Sequence, residues 1–118
     1  MMDGAPPATF LASGHEQTRH GHQVHSTAQP GKRDELFALY REHLAPRAQA
    51  NDAQEVVVWC ADQQDPDVFV LFELYRDAEA LGANAGADWF ADYMQAAMPL
   101  LAGEPQVTMA TPLWSTGI

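Results

Sequence analysis

The chain has 118 residues, the length of one ordinary domain, and its apolar share of 47% belongs to a globular protein, not a disordered one. Six Lys and Arg against sixteen Asp and Glu leave a net charge of −10, so nucleic acid and anionic membrane surfaces are poor partners. One cysteine, Cys60, excludes a disulfide framework and any site built from several cysteines, and no apolar run approaches the roughly 18–20 residues of a membrane span.

In chain order, residues 1–7 (MMDGAPP) read as an extended arm, and the patch Thr9-Phe10-Leu11-Ala12 as no more than an edge strand. The opening residues lack the basic and apolar regions of a secretion signal, so a cytoplasmic location is expected. Residues 20–29 (HGHQVHSTAQ) alternate in polarity and read as a strand closed by the turn Pro30-Gly31. Leu36, Phe37, Leu39, Tyr40 and Leu44 recur at helical spacing, which predicts an amphipathic helix over 34–43, stopped near Pro46. Residues 55–61 (EVVVWCA) and 68–75 (VFVLFELY) are β-branched and aromatic strands, joined as a hairpin by the turn chemistry of 62–67 (DQQDPD). Cys60 reads there as a small buried hydrophobe. Asp77 is placed to cap a short helix over 78–84, a second helix runs over 88–101, and 106–111 (QVTMAT) forms a last strand.

The order is strand, helix, strand, strand, helix, strand. This is an α+β ferredoxin-like βαββαβ pattern, with an antiparallel sheet and both helices on one face. The domain is expected over 20–114, with 1–19 as an N-terminal arm and 115–118 as a tail. A sheet covered on one side should alternate apolar and polar residues. Residues 68–75 do not: Phe69, Leu71 and Tyr75 share one face, and Val70, Phe72 and Leu74 share the other. No element of the chain is left over to cover the second face, so a second copy is the expected cover. Aspartate at Phe69 or Leu71 is then expected to disrupt a homodimer or the core behind it.

Gln29-Pro30-Gly31-Lys32 opens a helix. Asp65-Pro66-Asp67 leads into Phe69-Val70-Leu71-Phe72-Glu73-Leu74-Tyr75, and Ala80-Leu81, Trp89-Phe90 and Pro99-Leu100-Leu101 follow. In this order and spacing the chain resembles the antibiotic biosynthesis monooxygenase domain of the dimeric α+β barrel superfamily, over about residues 20–113. The resemblance implies two ferredoxin-like subunits with their sheets packed face to face. It also implies oxidation of phenols or hydroquinones by molecular oxygen, with no flavin, haem or metal. The sequence departs from the family pattern at Asn84 and Trp89, where many members carry His, and at Tyr75, where they carry Trp. The haem-degrading branch differs at all three of its positions, which fall on Val24, Asn84 and Met94, so haem degradation is set aside.

His20, His22, Val24, Ser26 and Ala28 share one strand face, which in the resembling family points at the helices and is mostly apolar. Polar groups there cost free energy unless they are paired or line a wet cavity, so a substrate pocket is expected at His22 and Ser26. His20 reads as frayed into solvent, and His25 points to the other face. His20-Gly21-His22 has a zinc-binding spacing but no third ligand tied to it by a motif, so no metal is expected. An amide at Asn84 can hold a phenol oxygen or an oxyanion; beside Gly86 it reads equally as a helix C-cap. Trp59, Phe72, Trp89, Phe90 and Tyr93 form a candidate aromatic wall with Met94 and Met98, although each also fits plain core. Tyr75 is a hydrogen-bond donor toward a substrate oxygen, and Arg76 reads first as a partner in a surface salt bridge and only second as an anchor for an anion.

The resulting expectation is a homodimeric, cofactor-independent monooxygenase or oxidase of a small aromatic phenol or hydroquinone, with oxygen as co-substrate. His22 is the candidate base, and Asn84 and Tyr75 hold substrate oxygens. Ser26, Trp59, Phe72, Trp89, Tyr93 and Met94 contact the substrate. The alternative on the same fold is a non-catalytic small-molecule-binding or regulatory protein.

Overall fold

Strands form where β-branched and aromatic residues cluster: β1 (His20–Thr27), β2 (Gln54–Ala61), β3 (Val68–Tyr75) and β4 (Gln106–Ala110). Helices α1 (Arg33–His43), α2 (Ala45–Gln49), α3 (Ala78–Ala85) and α4 (Asp88–Ala97) separate them, and a 3₁₀ turn spans Met98–Leu100. The structure is a computed structural model and describes residues 18–118, so residues 1–17 of the arm, with the 9–12 patch and His15, lie outside the described residues. The sheet has the order β2-β3-β1-β4, and every neighbouring pair is antiparallel. That is the ferredoxin-like arrangement expected from the sequence.

The turns follow local chemistry. Gly31 takes φ +78°, which a side chain would resist, and its N–H donates to Asp67 Oδ1 at 2.9 Å. In the β2–β3 loop the Asp62 carboxylate accepts from the N–H groups of Gln64 and Asp65, both at 2.8 Å. Those two donors hold the Asp62 carboxyl below its usual range. Arg33 ties α1 to this loop by donating from Nη1 to the carbonyls of Asp65, Val68 and Asp62 at 3.0, 3.1 and 3.3 Å. Asp77 caps α3 as expected, accepting from the Ala80 N–H at 2.9 Å.

The first helix ends at His43, as expected, but Pro46 does not end helical structure. It sits in the first turn of α2, where its missing N–H has no partner to lose. The helix expected over 88–101 ends instead at Ala97, and the chain tightens into the 3₁₀ turn that contains Pro99.

The core lies between one sheet face and α1 and α4. Leu36 and Tyr40 from α1 and Tyr93 and Ala97 from α4 pack with Phe69 and Leu71, with Val24 and Trp59 partly buried beside them. Phe69 and Leu71 therefore belong to the helix-covered face, and an aspartate there disrupts the core and does not report on an interface. Phe72 lies opposite Gln23 and Val58 on the outward face, where Phe72 is 42% and Val58 46% exposed. Cys60, read from the sequence as buried, is exposed on β2, an edge strand.

One irregularity positions the site. The β2–β3 register shifts between Gln54 and Val56: Gln54 lies opposite Tyr75, Val56 opposite Leu74 and Val57 opposite Glu73. This bulge at Glu55 lets Gln54 and Val57, three residues apart, share one face. Arg19 anchors the bulge, its Nε donating to Glu55 Oε1 at 2.6 Å.

Candidate functional site

A cavity of about 860 Å³ lies between the inner sheet face and the helices. Its body is apolar, built from Leu71, Trp59, Phe69, Phe90, Met94 and Leu101 among others, and its polar residues include His22, Ser26, Gln54, Glu73, Tyr75 and Asn84. Antiparallel pairing sets His22 directly opposite Glu73, because β1 and β3 exchange that register. Strand alternation then puts both on the helix side with Val24 and Leu71.

His22 Nδ1 lies 2.6 Å from Glu73 Oε1, and both side chains are largely buried, with 19% and 10% of their surface exposed. A carboxylate can only accept, so Nδ1 is the donor toward Glu73, and in the neutral imidazole Nε2 is then the acceptor. The other carboxylate oxygen, Oε2, accepts from Gln54 Nε2 at 2.8 Å and from the Tyr75 hydroxyl at 3.3 Å. Asn84 closes the network from α3: its Nδ2 donates to Gln54 Oε1 at 3.1 Å and to the Tyr75 oxygen at 3.2 Å, and its Oδ1 accepts from Asn51 at 3.4 Å. The Asn84 side chain thus faces the network and does not cap its own helix. Burial, reinforced by the Glu73 charge, pushes the Tyr75 phenol above its usual range, so it remains a donor. The same two causes raise Tyr93 to about 12, and burial first raises Tyr40 as well.

Of the residues singled out from the sequence, His22, Ser26, Tyr75, Asn84, Trp59, Tyr93 and Met94 line the cavity, as do Phe90 and Met98. Phe72 does not, because strand alternation turns it outward. Trp89 does not line it either; its ring lies beneath the Arg47 guanidinium at 5.4 Å and meets Phe90 edge-on. Arg76 lies away from the cavity, half exposed, with its Nε 3.5 Å from Asp77. His25 is exposed on the outward face. The His20/His22 spacing gains no third ligand: among the described residues no group of three His, Cys, Asp or Glu could hold a metal ion.

Glu73 and Gln54 were missed at the sequence level. A glutamate within an apolar strand is a signal by itself, since an isolated buried charge is rarely tolerated. Gln54 had no signal, because strand alternation without the bulge turns it away from Val57.

The fold recurs in solved structures. A candidate antibiotic biosynthesis monooxygenase from Caulobacter crescentus superposes with a TM-score of 0.77 at 24% identity, covering 87% of this chain and 99% of that one. Another of the same name from Chloroflexus aurantiacus gives 0.74 at 24% identity over 86% and 99% of the two chains. A Mycobacterium tuberculosis protein gives 0.74 at 25% identity over 85% and 100%. No protein-family model matches the sequence, and no curated protein matches it. At these identities the shared property is the fold, and it is the fold of proteins bearing the family name that the sequence motifs suggested. Among the described residues no helix is long and apolar enough to cross a membrane.

Proposed function

We propose that the chain is a cofactor-independent monooxygenase or oxidase of a phenol or hydroquinone, acting as a homodimer. The observation that carries this reading is the His22–Glu73 pair, whose free imidazole nitrogen sits at an otherwise mostly apolar cavity. His22 Nε2 takes the proton of the substrate hydroxyl. Asn84 Nδ2 and the Tyr75 hydroxyl, exchanging their bonds to Gln54 and Glu73, supply hydrogen bonds to a substrate oxygen as negative charge develops on it. The apolar walls keep water from competing for the phenolate.

The substrate supplies the electrons. A phenol oxygenated on its ring gives a quinone and water from one O₂; a hydroquinone gives a quinone and hydrogen peroxide. Each balance closes without a further reductant. The similar solved structures named as monooxygenases support this class of reaction and leave the substrate open. Oxygen uptake across a set of naphthols, hydroquinones and polyphenols tests the reading. Uptake with stoichiometric quinone supports it, and no uptake with any member overturns it.

A second reading, a non-catalytic binding module, is favoured by one feature: Glu73, Gln54, Tyr75 and Asn84 already satisfy one another without a ligand. Saturable phenol binding with no oxygen consumption identifies that case.

A further inference from the structure

We infer that the cavity admits uncharged phenols and rejects anionic ones, so the substrate carries no carboxylate, phosphate or sulfate. The inference deepens the functional reading above and uses the same cavity. The charged lining residues are Glu73 and Glu104; His22 is titratable, and no Lys or Arg contributes. While His22 is the neutral base, the field inside the cavity is therefore negative.

No Lys or Arg is available to correct it. The chain has six basic residues, all of them described, and each is engaged elsewhere. Arg19 holds Glu55 and Lys32 holds Glu35 at 2.9 Å. Arg33 is bonded to three carbonyls, Arg41 lies 5.8 Å over the Phe37 ring, Arg47 covers Trp89, and Arg76 lies beside Asp77. A second copy of the chain brings only the same six.

Within the cavity an anionic ligand finds three surroundings for its charge. At the polar residues it meets the Glu73 carboxylate, and its own acceptor oxygens cannot use a group that only accepts. Against the apolar walls it is desolvated with no partner. Beside Glu104 it meets a second like charge. A neutral phenol avoids these charge penalties: its hydroxyl donates to Nε2, and its oxygen accepts from Asn84 or Tyr75 in exchange for one of their bonds to Gln54 or Glu73.

The test is equilibrium dialysis at mildly alkaline pH with 6-hydroxy-2-naphthoate and its methyl ester. The two have the same ring and hydroxyl and differ in charge. Wild-type protein is expected to bind the ester at least about tenfold more tightly, since like charges at contact distance in a partly buried site differ by more than that factor. Equal affinity, or tighter binding of the acid, overturns the inference while leaving the oxidase reading intact. Preference for the ester without oxygen uptake by any phenol leaves the charge rule standing and overturns the oxidase reading. Binding of neither overturns both. Glu73→Gln, checked for folding by circular dichroism, should narrow the preference, whereas an unchanged ratio overturns the part assigned to Glu73. The wild-type comparison stands without that variant.

Discussion

Replacing His22 by Ala or Gln removes the one imidazole that lines the cavity among the described residues. If His22 is the base, turnover should fall by roughly 10²–10⁴-fold, the usual contribution of one positioned proton acceptor. Asn84→Ala should cost less, because it deletes hydrogen bonds and leaves the acceptor in place. His25→Ala should leave turnover unchanged, since His25 is exposed on the far face of β1. Steady-state oxygen uptake on one active phenol compares all three, and equal losses at His22 and His25 would sink the assignment. All three tyrosines in the chain, Tyr40, Tyr75 and Tyr93, ionise above the ordinary value of 10.0, with Tyr93 at about 12. The unfolded chain releases these protons near pH 10 and the folded chain only at higher pH, so this contribution to stability is complete below about pH 10 and is lost as pH rises beyond it. A spectrophotometric titration should show no phenolate absorbance at ordinary tyrosine pH and then a rise that accompanies unfolding. Early ionisation of any one tyrosine would contradict the buried placement.

At the level of elements, the strands and helices could be read from the sequence because their signals are local. The residues 68–75 mark β3 by composition alone, and Asp77 marks the start of α3 by its capping chemistry. The face carrying His22, Val24 and Ser26 followed from alternation, and so did its unusual polarity. What could not be read depends on pairing across the chain. The Glu73 partner of His22 lies 51 positions away and meets it only through the β1–β3 register. Gln54 reaches the site through a bulge that no residue type announces. Phe72 and Trp89 were misplaced for a related reason, since aromatic character does not say which side of an element is covered. The β1–β4 edge offers its own test. A Cβ built on Gly21 comes within 3.0 Å of the Ala110 carbonyl oxygen, and that neighbour is backbone, which moves less readily than a side-chain tip. Gly21→Ala should therefore loosen β4 and lower stability by about 1–3 kcal/mol, the usual range for overpacking. A lower denaturant midpoint with faster exchange of the β4 amides is the expected result. An unchanged midpoint would mean that the edge strand yields freely.

For the whole molecule the open issue is what lies against the outward face of the sheet. Val58 and Phe72 are adjacent across β2 and β3 on that face, 46% and 42% exposed, whereas Leu74, further along the same face, is buried within the chain. Apolar surface left to water forfeits about 25 cal/mol per Å², so a second sheet packed against it is favourable once the cost of association is met. The proposed homodimer would bury the exposed part of this face, around Phe72 and Val58. Phe72→Asp should then disrupt the dimer, because it places an unpaired charge in the buried interface while leaving the core around Phe69 and Leu71 untouched. Light scattering at low micromolar concentration should give twice 12.9 kDa for the wild type and a single copy for the variant, with unchanged far-ultraviolet circular dichroism. Val58→Asp repeats the test on the neighbouring strand, in case the first variant fails to fold. A wild type that scatters as one copy would overturn the dimer, and a dimeric Phe72→Asp would move the interface to another surface.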